Sequence, residues 1–154
     1  MVRIRKVVYK DKDAINYFFD SLSEESNRYF NATGRNRKAM NSYFNRQISD
    51  FVPFMAEIEN KAAGLLFLYK LNMSVCWLSV CVADEFQGKG IGKLLMKFAK
   101  RYAVSNNKGG ILLTTHTDNK KAQSLYEKSG YERLGISEGE YLYLLSFEVK
   151  NGGF

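Results

Sequence analysis

Short apolar runs recur along the chain and predict the strands of a sheet. From Val2 to Val8 apolar residues alternate with basic ones, as in a strand with one buried face. The run at 75–83 is almost continuously apolar, as expected of a strand buried on both faces. A turn at Gly139-Glu140 is expected to join the last two strands. The other predicted strands span residues 54–58, 62–70, 111–115, 131–134 and 141–149.

Other segments repeat their apolar residues every three or four positions, which is the spacing of one helix face. Asp11 is expected to cap the first helix, whose apolar residues are Ala14, Ile15, Phe18, Phe19 and Leu22. The segment from Ser23 to Ser49 is less regular and predicts one or two helices, broken near Thr33-Gly34. A long helix is predicted to begin at Ile91, and a shorter one spans 120–128.

The order of these elements, β-α-α-β-β-β-α-β-α-β-β, indicates an α/β (α+β) protein with a mixed sheet and helices on both of its faces. The chain has 154 residues, about the length of one domain, and shows no repeat or linker. Residues 1–154 are therefore predicted to form a single domain. Hydrophobic residues make up 45% and charged residues 25%, a balance typical of globular rather than disordered proteins.

The chain is basic, with 23 Lys and Arg against 16 Asp and Glu and a net charge of +7. This charge suits a nucleic acid, an acidic surface or a polyanionic cofactor, and equally a protein with no specific polyanionic partner. The stretch from Ser26 to Ser49 has five basic residues and no acid, interleaved with Tyr29, Phe30, Tyr43 and Phe44. Nucleic-acid binding through this stretch is one hypothesis, but a helical lid with a solvated basic face is favoured.

The two cysteines and the lack of long apolar segments indicate the cell compartment. Cys76 and Cys81 have an odd separation in a predicted strand, which places them on opposite faces and argues against a disulfide. Free thiols are typical of a reducing cytoplasm. The N-terminal residues lack the apolar core of a signal peptide, and the apolar stretch 62–69 is far shorter than the roughly 20 residues that span a bilayer. A cytoplasmic protein without membrane contact is predicted.

A glycine-rich turn, Gln87 to Gly92, lies between the buried strand and the longest predicted helix. Free N–H groups at a helix N-terminus attract anions, and glycines let the backbone approach a pyrophosphate closely. Lys89 and Lys93 add positive charge. The turn lacks the Lys-Ser/Thr pair of a nucleotide P-loop, and Lys93 stands where the dinucleotide fingerprint needs its third glycine.

The turn resembles instead the acetyl-CoA-binding motif of the GNAT N-acetyltransferase superfamily, Q/R-x-x-G-x-G/A, which Gln87, Gly90 and Gly92 match. Residues 118–131 are similar to a second segment of that family, N-x-x-A-x-x-x-Y-x-x-x-G-F/Y. Both motifs occur in the family's order, and the chain is identified as a member of this superfamily.

The resemblance implies the GNAT fold, with a mostly antiparallel sheet of about seven strands that splays between the strands at 75–83 and 111–115. It also implies that the pantetheine arm of acetyl-CoA lies in this gap beside the main chain of Val80 and Val82. The residues expected to bind acetyl-CoA are Val80, Cys81, Val82, Gln87, Gly88, Lys89, Gly90, Ile91, Gly92, Lys93, Asn119, Ala122 and Tyr126. No metal site is predicted.

Acetyl transfer to an amine requires a neutral amine and a proton for the departing thiolate. Asn119, Ala122 and Tyr126 share one helix face, and the resemblance implies that the Tyr126 hydroxyl reaches the thioester sulfur. Tyr126 is the predicted general acid, because a phenol with a pKa of about 10 can protonate a thiolate with a pKa near 8.5.

The general base is left open by the sequence. Some family members carry a glutamate on the strand before the glycine loop, but the strand at 75–83 has no such carboxylate. The candidates through a water chain are Glu57, Glu85 and Glu140, and His116 is a further candidate proton carrier. Cys81 has no identifiable base partner, so direct attack of the amine is preferred to an acyl-enzyme.

The predicted function is transfer of an acetyl group from acetyl-CoA to a primary amine on a protein or a small metabolite. The basic residues near the expected acceptor site disfavour polyamines and aminoglycosides. The alternative is a catalytically silent acyl-CoA-binding regulatory module, which the missing strand carboxylate favours. Homodimer formation is left open.

Overall fold

The computed structural model describes residues 1–147, which form seven strands and five α-helices. The strands are β1 (Arg3–Lys6), β2 (Phe51–Ile58), β3 (Lys61–Tyr69), β4 (Val75–Val82), β5 (Gly110–His116), β6 (Glu132–Ser137) and β7 (Glu140–Ser146). The helices are α1 (Lys12–Asp20), α2 (Glu24–Phe30), α3 (Arg35–Phe44), α4 (Ile91–Ser105) and α5 (Lys120–Lys128). Even α4, the longest described helix, is too short to traverse a bilayer, and no other helix within 1–147 combines the needed length and apolarity.

The strands form one sheet in the order β1-β2-β3-β4-β5-β7-β6, in which β4 and β5 are parallel and the other described pairs are antiparallel. The predicted mixed sheet is therefore confirmed. Strands β4 and β5 pair at three positions, from Val75 opposite Gly110 to Trp77 opposite Leu112. Beyond Trp77, β4 pairs within the described residues with β3 alone, although it runs on to Val82. The sheet is thus open between the ends of β4 and β5, as predicted.

Hydrophobic cores cover both faces of the sheet. Helices α4 and α5 pack on one face, the α4–α5 face, where β4 contributes Cys76 and Val80. Helices α1, α2 and α3 pack on the other, the α1–α3 face, where β4 contributes Cys81. The two cysteines lie on different faces and are free thiols, as their odd spacing predicts.

The segment between α1 and β2 contains two helices, α2 and α3, so the described chain has one more helix than the predicted element order. The break falls at Ala32–Gly34, at the predicted place, because Thr33 and Gly34 both take left-handed backbone conformations with φ of 57° and 73°. Such a conformation ends an α-helix, and α3 starts directly afterwards.

Two local predictions need correction, and one reaches past the described residues. Asp11 stands at the start of α1 but makes no side-chain capping bond there. Its carboxylate instead accepts hydrogen bonds of 2.8 Å from both terminal nitrogens of Arg5 and from the Val8 N–H.

The turn before β7 is at residues 138–139, one position earlier than predicted. The predicted last strand runs to 149, but β7 ends at Ser146, and positions 148 and 149 lie outside the described residues.

Replacing Asp11 by Asn is expected to lower the free energy of unfolding by about 2 kcal/mol at neutral pH, because Arg5 loses a buried anionic partner. The hydrogen bonds from Arg5, which outweigh burial, hold the pKa of Asp11 below its usual range. This carboxylate therefore stabilises the fold above about pH 4, and the contribution is lost as the pH falls through its lowered pKa. Denaturant titrations should show a wild-type advantage that shrinks in acid. Replacing the exposed Asp13 by Asn should change stability little at either pH.

Candidate active site

The opening between β4 and β5 holds a cavity of about 380 Å³. Its walls come from both faces of the sheet, so the cavity runs through the sheet rather than lying on one side of it. On the α4–α5 face the wall includes Val80, Val82 and residues of α5; on the α1–α3 face it includes residues of α2 and the first two of α3. A cavity of this volume is within the usual range for small-molecule sites.

The cavity brings together nearly all the residues that the sequence predicts for the cofactor. The exceptions are Lys89 and Lys93, which are exposed and do not line its wall. The Lys89 amino group lies 5.7 Å from the centre of the Phe86 ring. These two lysines therefore contribute charge near the loop rather than contacts inside the cavity.

The glycine loop, Gln87–Gly92, follows β4 after a single 3-10 turn at Asp84–Phe86. The Gln87 side-chain amide donates a 3.1 Å bond to the Val82 carbonyl and so fixes the loop to the strand. Gly88 and Gly90 have φ of 77° and 82°, the left-handed region that favours glycine. Within residues 1–147, none of the N–H groups from 88 to 93 donates to a backbone carbonyl. The loop therefore presents a series of free donors at the N-terminus of α4.

The third glycine of the loop serves packing between α4 and α5. A Cβ atom on Gly92 would lie 3.2 Å from a methyl group of Leu125 on α5 and 3.8 Å from a methyl group of Val82. The absence of a side chain lets α5 approach the loop closely, so that the residues of α5 can line the same cavity.

Helix α5 starts with two side-chain contacts that fix its position. The Asn119 side-chain oxygen accepts a 3.3 Å bond from the Ala122 N–H, which caps the helix. The amide of the buried Gln123 donates to the carbonyls of His116 and Thr117 at 3.0 and 2.9 Å. The start of α5 is thereby tied to the end of β5, at the edge of the cavity.

Tyr126 lies two turns into α5 and is only 7% exposed. Its ring packs edge-on against Tyr143 and at a tilt against Tyr131, with centroids 6.0 and 6.2 Å away. It lines the cavity, and its hydroxyl makes no hydrogen bond to any residue that the structure describes. Burial, with smaller effects of Cys81 and Tyr143, raises the pKa of Tyr126 above its ordinary value. The phenol is therefore protonated at neutral pH.

Cys81 lines the cavity from β4, but its environment makes it a poor nucleophile. Burial, with a further contribution from the charge of Asp84, raises the pKa of the Cys81 thiol to about 12. Since the thiolate is the reactive form, almost none of it is present at neutral pH.

A polar network supports the part of α5 that carries Tyr126. The Tyr143 hydroxyl donates a 2.6 Å bond to the carboxylate of Glu127, the residue after Tyr126. The Arg133 guanidinium contacts the same carboxylate at 3.4 Å and stacks 3.8 Å from the centre of the Tyr141 ring. These contacts hold α5 against β6 and β7, and thus fix the ring of Tyr126 in the wall.

Helix α2 is attached to both edges of the cavity. At one edge, Asp84 accepts bonds from the Ser23 N–H at 3.0 Å and the Ser26 hydroxyl at 3.1 Å. At the other, Arg28 donates to Asp118 at 3.3 Å. Asp84 precedes the glycine loop and Asp118 precedes the cap of α5, so α2 bridges the elements on either side of the opening.

The structure shows which of the candidate general bases named from the sequence lie at the cavity and which do not. Glu57 is bound to Arg5 at 3.2 Å and lies away from the cavity, and Glu85 is exposed outside it. Glu140 is half-buried and lines the wall. Glu25 of α2 lines it too, although the sequence did not single it out. His116 is not a wall residue: its Nδ1 atom is 2.8 Å from the carboxylate of Asp118, but out of line for a hydrogen bond.

Sequence reasoning missed most of the cavity wall on the α1–α3 face. Besides Glu25, the missed residues in α2 and α3 are Ser26, Tyr29, Phe30, Arg35 and Asn36. The available signal was the break at Thr33-Gly34, because a sharp bend returns the following residues toward the sheet.

The aromatic residues of the 26–49 stretch are not arranged for stacking on nucleic-acid bases. Phe30 and Phe44 are buried in the core of the α1–α3 face. The Tyr43 hydroxyl donates a 2.6 Å bond to the Val7 carbonyl, and the Tyr29 ring is covered by the guanidinium of Arg28 at 4.6 Å. Because base stacking needs exposed rings, the observed packing disfavours the nucleic-acid hypothesis.

Comparison with known proteins assigns the family. The sequence profile described as "Acetyltransferase (GNAT) family" matches residues 15–131. The chain belongs to the GNAT acetyltransferase family. This GNAT protein is 40% identical over 57 residues to streptothricin acetyltransferase of Escherichia coli, a match covering 37% of this chain and 33% of that protein. It is 33% identical over 87 residues to the N-acetyltransferase YhfO of Bacillus subtilis, covering 53% and 58%. Both matches span less than two thirds of the curated relatives.

Solved GNAT structures share the fold over almost the whole chain. An acetyltransferase of the GNAT family from Streptococcus pneumoniae superposes with a TM-score of 0.77 at 22% identity, covering 96% of this chain and 100% of that one. The PaiA N-acetyltransferase of Thermoplasma acidophilum, solved in complex with coenzyme A, gives 0.75 at 17% identity, covering 96% and 99%. At these identities the comparison shows the fold alone.

The α4–α5 side of the cavity fits the chemistry of coenzyme A. The free N–H groups of the glycine loop suit a pyrophosphate. Apart from each glycine and its chain neighbours, no atom of residues 1–147 lies within 4 Å of where a Cβ of Gly88 or Gly90 would be. Beyond Trp77, the edge of β4 that faces β5 carries backbone groups that no strand within residues 1–147 pairs with, and these groups suit the amides of an extended pantetheine arm.

Proposed function

We propose that this GNAT protein transfers an acetyl group from acetyl-CoA to a primary amine by direct attack of the amine on the thioester carbon. The observation that carries the proposal is the cavity through the sheet, which has the glycine loop on one side and the Tyr126 hydroxyl in its wall. Membership of an acetyltransferase family supports the reaction class.

On the donor side, the N–H groups of the glycine loop would hold the pyrophosphate, and the main chain of Val80 and Val82 would hold the pantetheine arm. When bound, acetyl-CoA supplies an acetyl thioester, which is activated toward amines. A main-chain N–H on the open edge of β4 would stabilise the negative charge that develops on the thioester oxygen.

Tyr126 is the proposed general acid. In the reaction the amine nitrogen forms a bond to the acetyl carbon, the carbon–sulfur bond breaks, and the thiolate receives the Tyr126 proton. The raised pKa of Tyr126 means that the phenol is still protonated at neutral pH when the thiolate forms. Regeneration of the phenol takes up the proton that the attacking amine loses, so the protons balance.

Direct attack is favoured over an acyl-enzyme because the buried Cys81 thiol has a pKa of about 12 and therefore little nucleophilic thiolate. The attacking amine must first lose a proton. Glu25 and Glu140 line the α1–α3 side of the cavity, and either carboxylate can accept that proton through water.

The test has two stages. Saturating acetyl-CoA should raise the melting temperature by about 5 to 10 °C, because a ligand that binds only the native state stabilises it, whereas equal concentrations of ATP or NAD should have much smaller effects. Release of free CoA is then measured with a panel of primary amines, which includes streptothricin because one curated relative is named for it.

Amine-dependent release of CoA would support the proposal. A thermal shift without release for any amine would instead identify a silent acyl-CoA-binding module, and the absence of a shift would contradict the proposed ligand itself.

A further inference from the structure

The two sides of the cavity differ in the charged residues that line them. On the α4–α5 side the charged wall residue is Lys121, which lies in α5 between Asn119 and Ala122. On the α1–α3 side, here called the acceptor side, the charged wall residues within the described chain are Glu25, Arg35 and Glu140. This side therefore contains one cation and two carboxylates.

The position of Glu140 on the acceptor side follows from the alternation of side chains along β7. Tyr141 and Tyr143 pack into the core of the α4–α5 face, so Glu140 points to the opposite face. Glu140 is also in register with His116 of β5, whose ring lies 5.7 Å from that of Tyr29 on α2. Both observations place Glu140 beside α2.

Arg35 differs from the neighbouring arginines in its lack of an acidic partner. Arg28 is paired with Asp118 at 3.3 Å, and Arg37 is paired with Asp20 at 2.7 Å. Arg35 lines the cavity, is exposed, and forms no ion pair within residues 1–147. It directly follows the left-handed bend at Thr33-Gly34, which brings the start of α3 to the cavity. Its guanidinium is thus available to a ligand in the acceptor side.

A guanidinium presents several N–H donors in a planar array that matches the oxygens of a carboxylate or a phosphate. A purely cationic acceptor would meet Arg35 as a like charge, which discriminates against it. An acceptor that carries both an ammonium and an anionic group would instead find a partner for each charge.

We infer that the acceptor of the proposed acetyltransferase reaction is a small amine that also bears an anionic oxygen group, either a carboxylate or a phosphate. Arg35 binds the anionic group, while Glu25 and Glu140 attract the ammonium. The acceptor is small because the cavity of about 380 Å³ must also admit the pantetheine arm and acetyl group of the donor. This inference rests on the proposed function and adds the substrate class.

The experiment compares amines that differ only in the anionic group: tyrosine with tyramine, lysine with cadaverine, and phosphoethanolamine with ethanolamine. CoA release gives kcat/KM for each. The anionic member of at least one pair should be preferred by about tenfold or more, as expected for a charge-assisted hydrogen bond. The first two pairs test a carboxylate, and the third tests a phosphate.

Variants of Arg35 then identify the residue responsible. Arg35→Ala should abolish the preference by lowering kcat/KM for the anionic amine alone, and Arg35→Glu should reverse it. Arg35→Lys should restore part of the preference, because it keeps the charge. Lys38→Ala is the matched control, since Lys38 is an exposed cation of the same helix that does not line the cavity, and it should leave the preference intact. An unchanged thermal shift with acetyl-CoA shows that each variant keeps its donor site.

Two results would overturn the inference and leave the proposed function standing. In the first, amines without the anionic group are acetylated as well as their anionic partners, or better. In the second, Arg35→Ala lowers kcat/KM equally for both members of a pair. If acetyl-CoA binds but no amine of any kind releases CoA, the proposed function fails and the inference falls with it.

Discussion

Tyr126→Phe is expected to lower kcat for amine-dependent CoA release by about a hundredfold or more, with little change in the KM for acetyl-CoA. The substitution removes one hydroxyl and leaves the ring, which packs against Tyr131 and Tyr143. The wall of the cavity should therefore keep its shape, while the departing thiolate loses its proton donor. Steady-state kinetics at saturating acceptor separate the two parameters.

Tyr131→Phe provides a matched control. The Tyr131 hydroxyl is buried and has no hydrogen-bond partner in residues 1–147, and its ring lies beside that of Tyr126. Its removal should leave kcat unchanged and should not destabilise the fold, because an unsatisfied buried hydroxyl costs free energy. Full activity of Tyr126→Phe, or an equal loss in both variants, would contradict the role of Tyr126 as the acid.

Gly110→Ala is expected to lower the melting temperature by about 5 to 10 °C, which corresponds to a loss of about 2 to 3 kcal/mol. A Cβ at Gly110 would lie 2.6 Å from the Leu145 carbonyl oxygen on β7. A backbone oxygen cannot rotate away as a side chain can, so the strands must move apart. Gly110 is also paired with Val75 of β4, so the strain acts at a position that is held by strands on both sides. Thermal denaturation monitored by circular dichroism gives the shift.

The adjacent glycine is the control for this substitution. A Cβ at Gly109 would lie 3.7 Å from the Ser74 carbonyl oxygen, an ordinary contact distance. Gly109→Ala should therefore change the melting temperature by only a degree or two. Similar shifts for the two variants would show that the close contact at Gly110 does not limit stability.

Most strands were predictable from the sequence because they are short apolar runs, and the splay between two of them came from the family resemblance. The hydrogen-bond partner of the Asp11 side chain was not predictable by the same reasoning. A local rule favours Asp at the start of a helix, but the half-buried guanidinium of Arg5 on β1 lies within reach, and the charged pair forms instead. That contact depends on how β1 packs against α1, which no local pattern specifies.

The two sides of the cavity also differ in how far the sequence predicts them. The donor side was predictable because it is built from two continuous segments, residues 87–92 and 119–126, whose spacing is imposed by a loop and one helix face. The acceptor side is assembled from α2, α3, β3, β4, β5 and β7. Residues such as Arg35 and Glu140 are brought together only by the complete fold, and neither has a spacing pattern that reveals its neighbour.

The cavity's course through the sheet bears on how molecules enter and leave it. In the proposed reaction acetyl-CoA enters from the α4–α5 face and the amine from the α1–α3 face, so the two reactants use separate entrances to the cavity. Neither must depart before the other arrives, so both can be present together. In the proposed reaction the gap between β4 and β5 thus makes a covalent acyl-enzyme intermediate unnecessary, because the acetyl group has only to pass through the thickness of a single sheet.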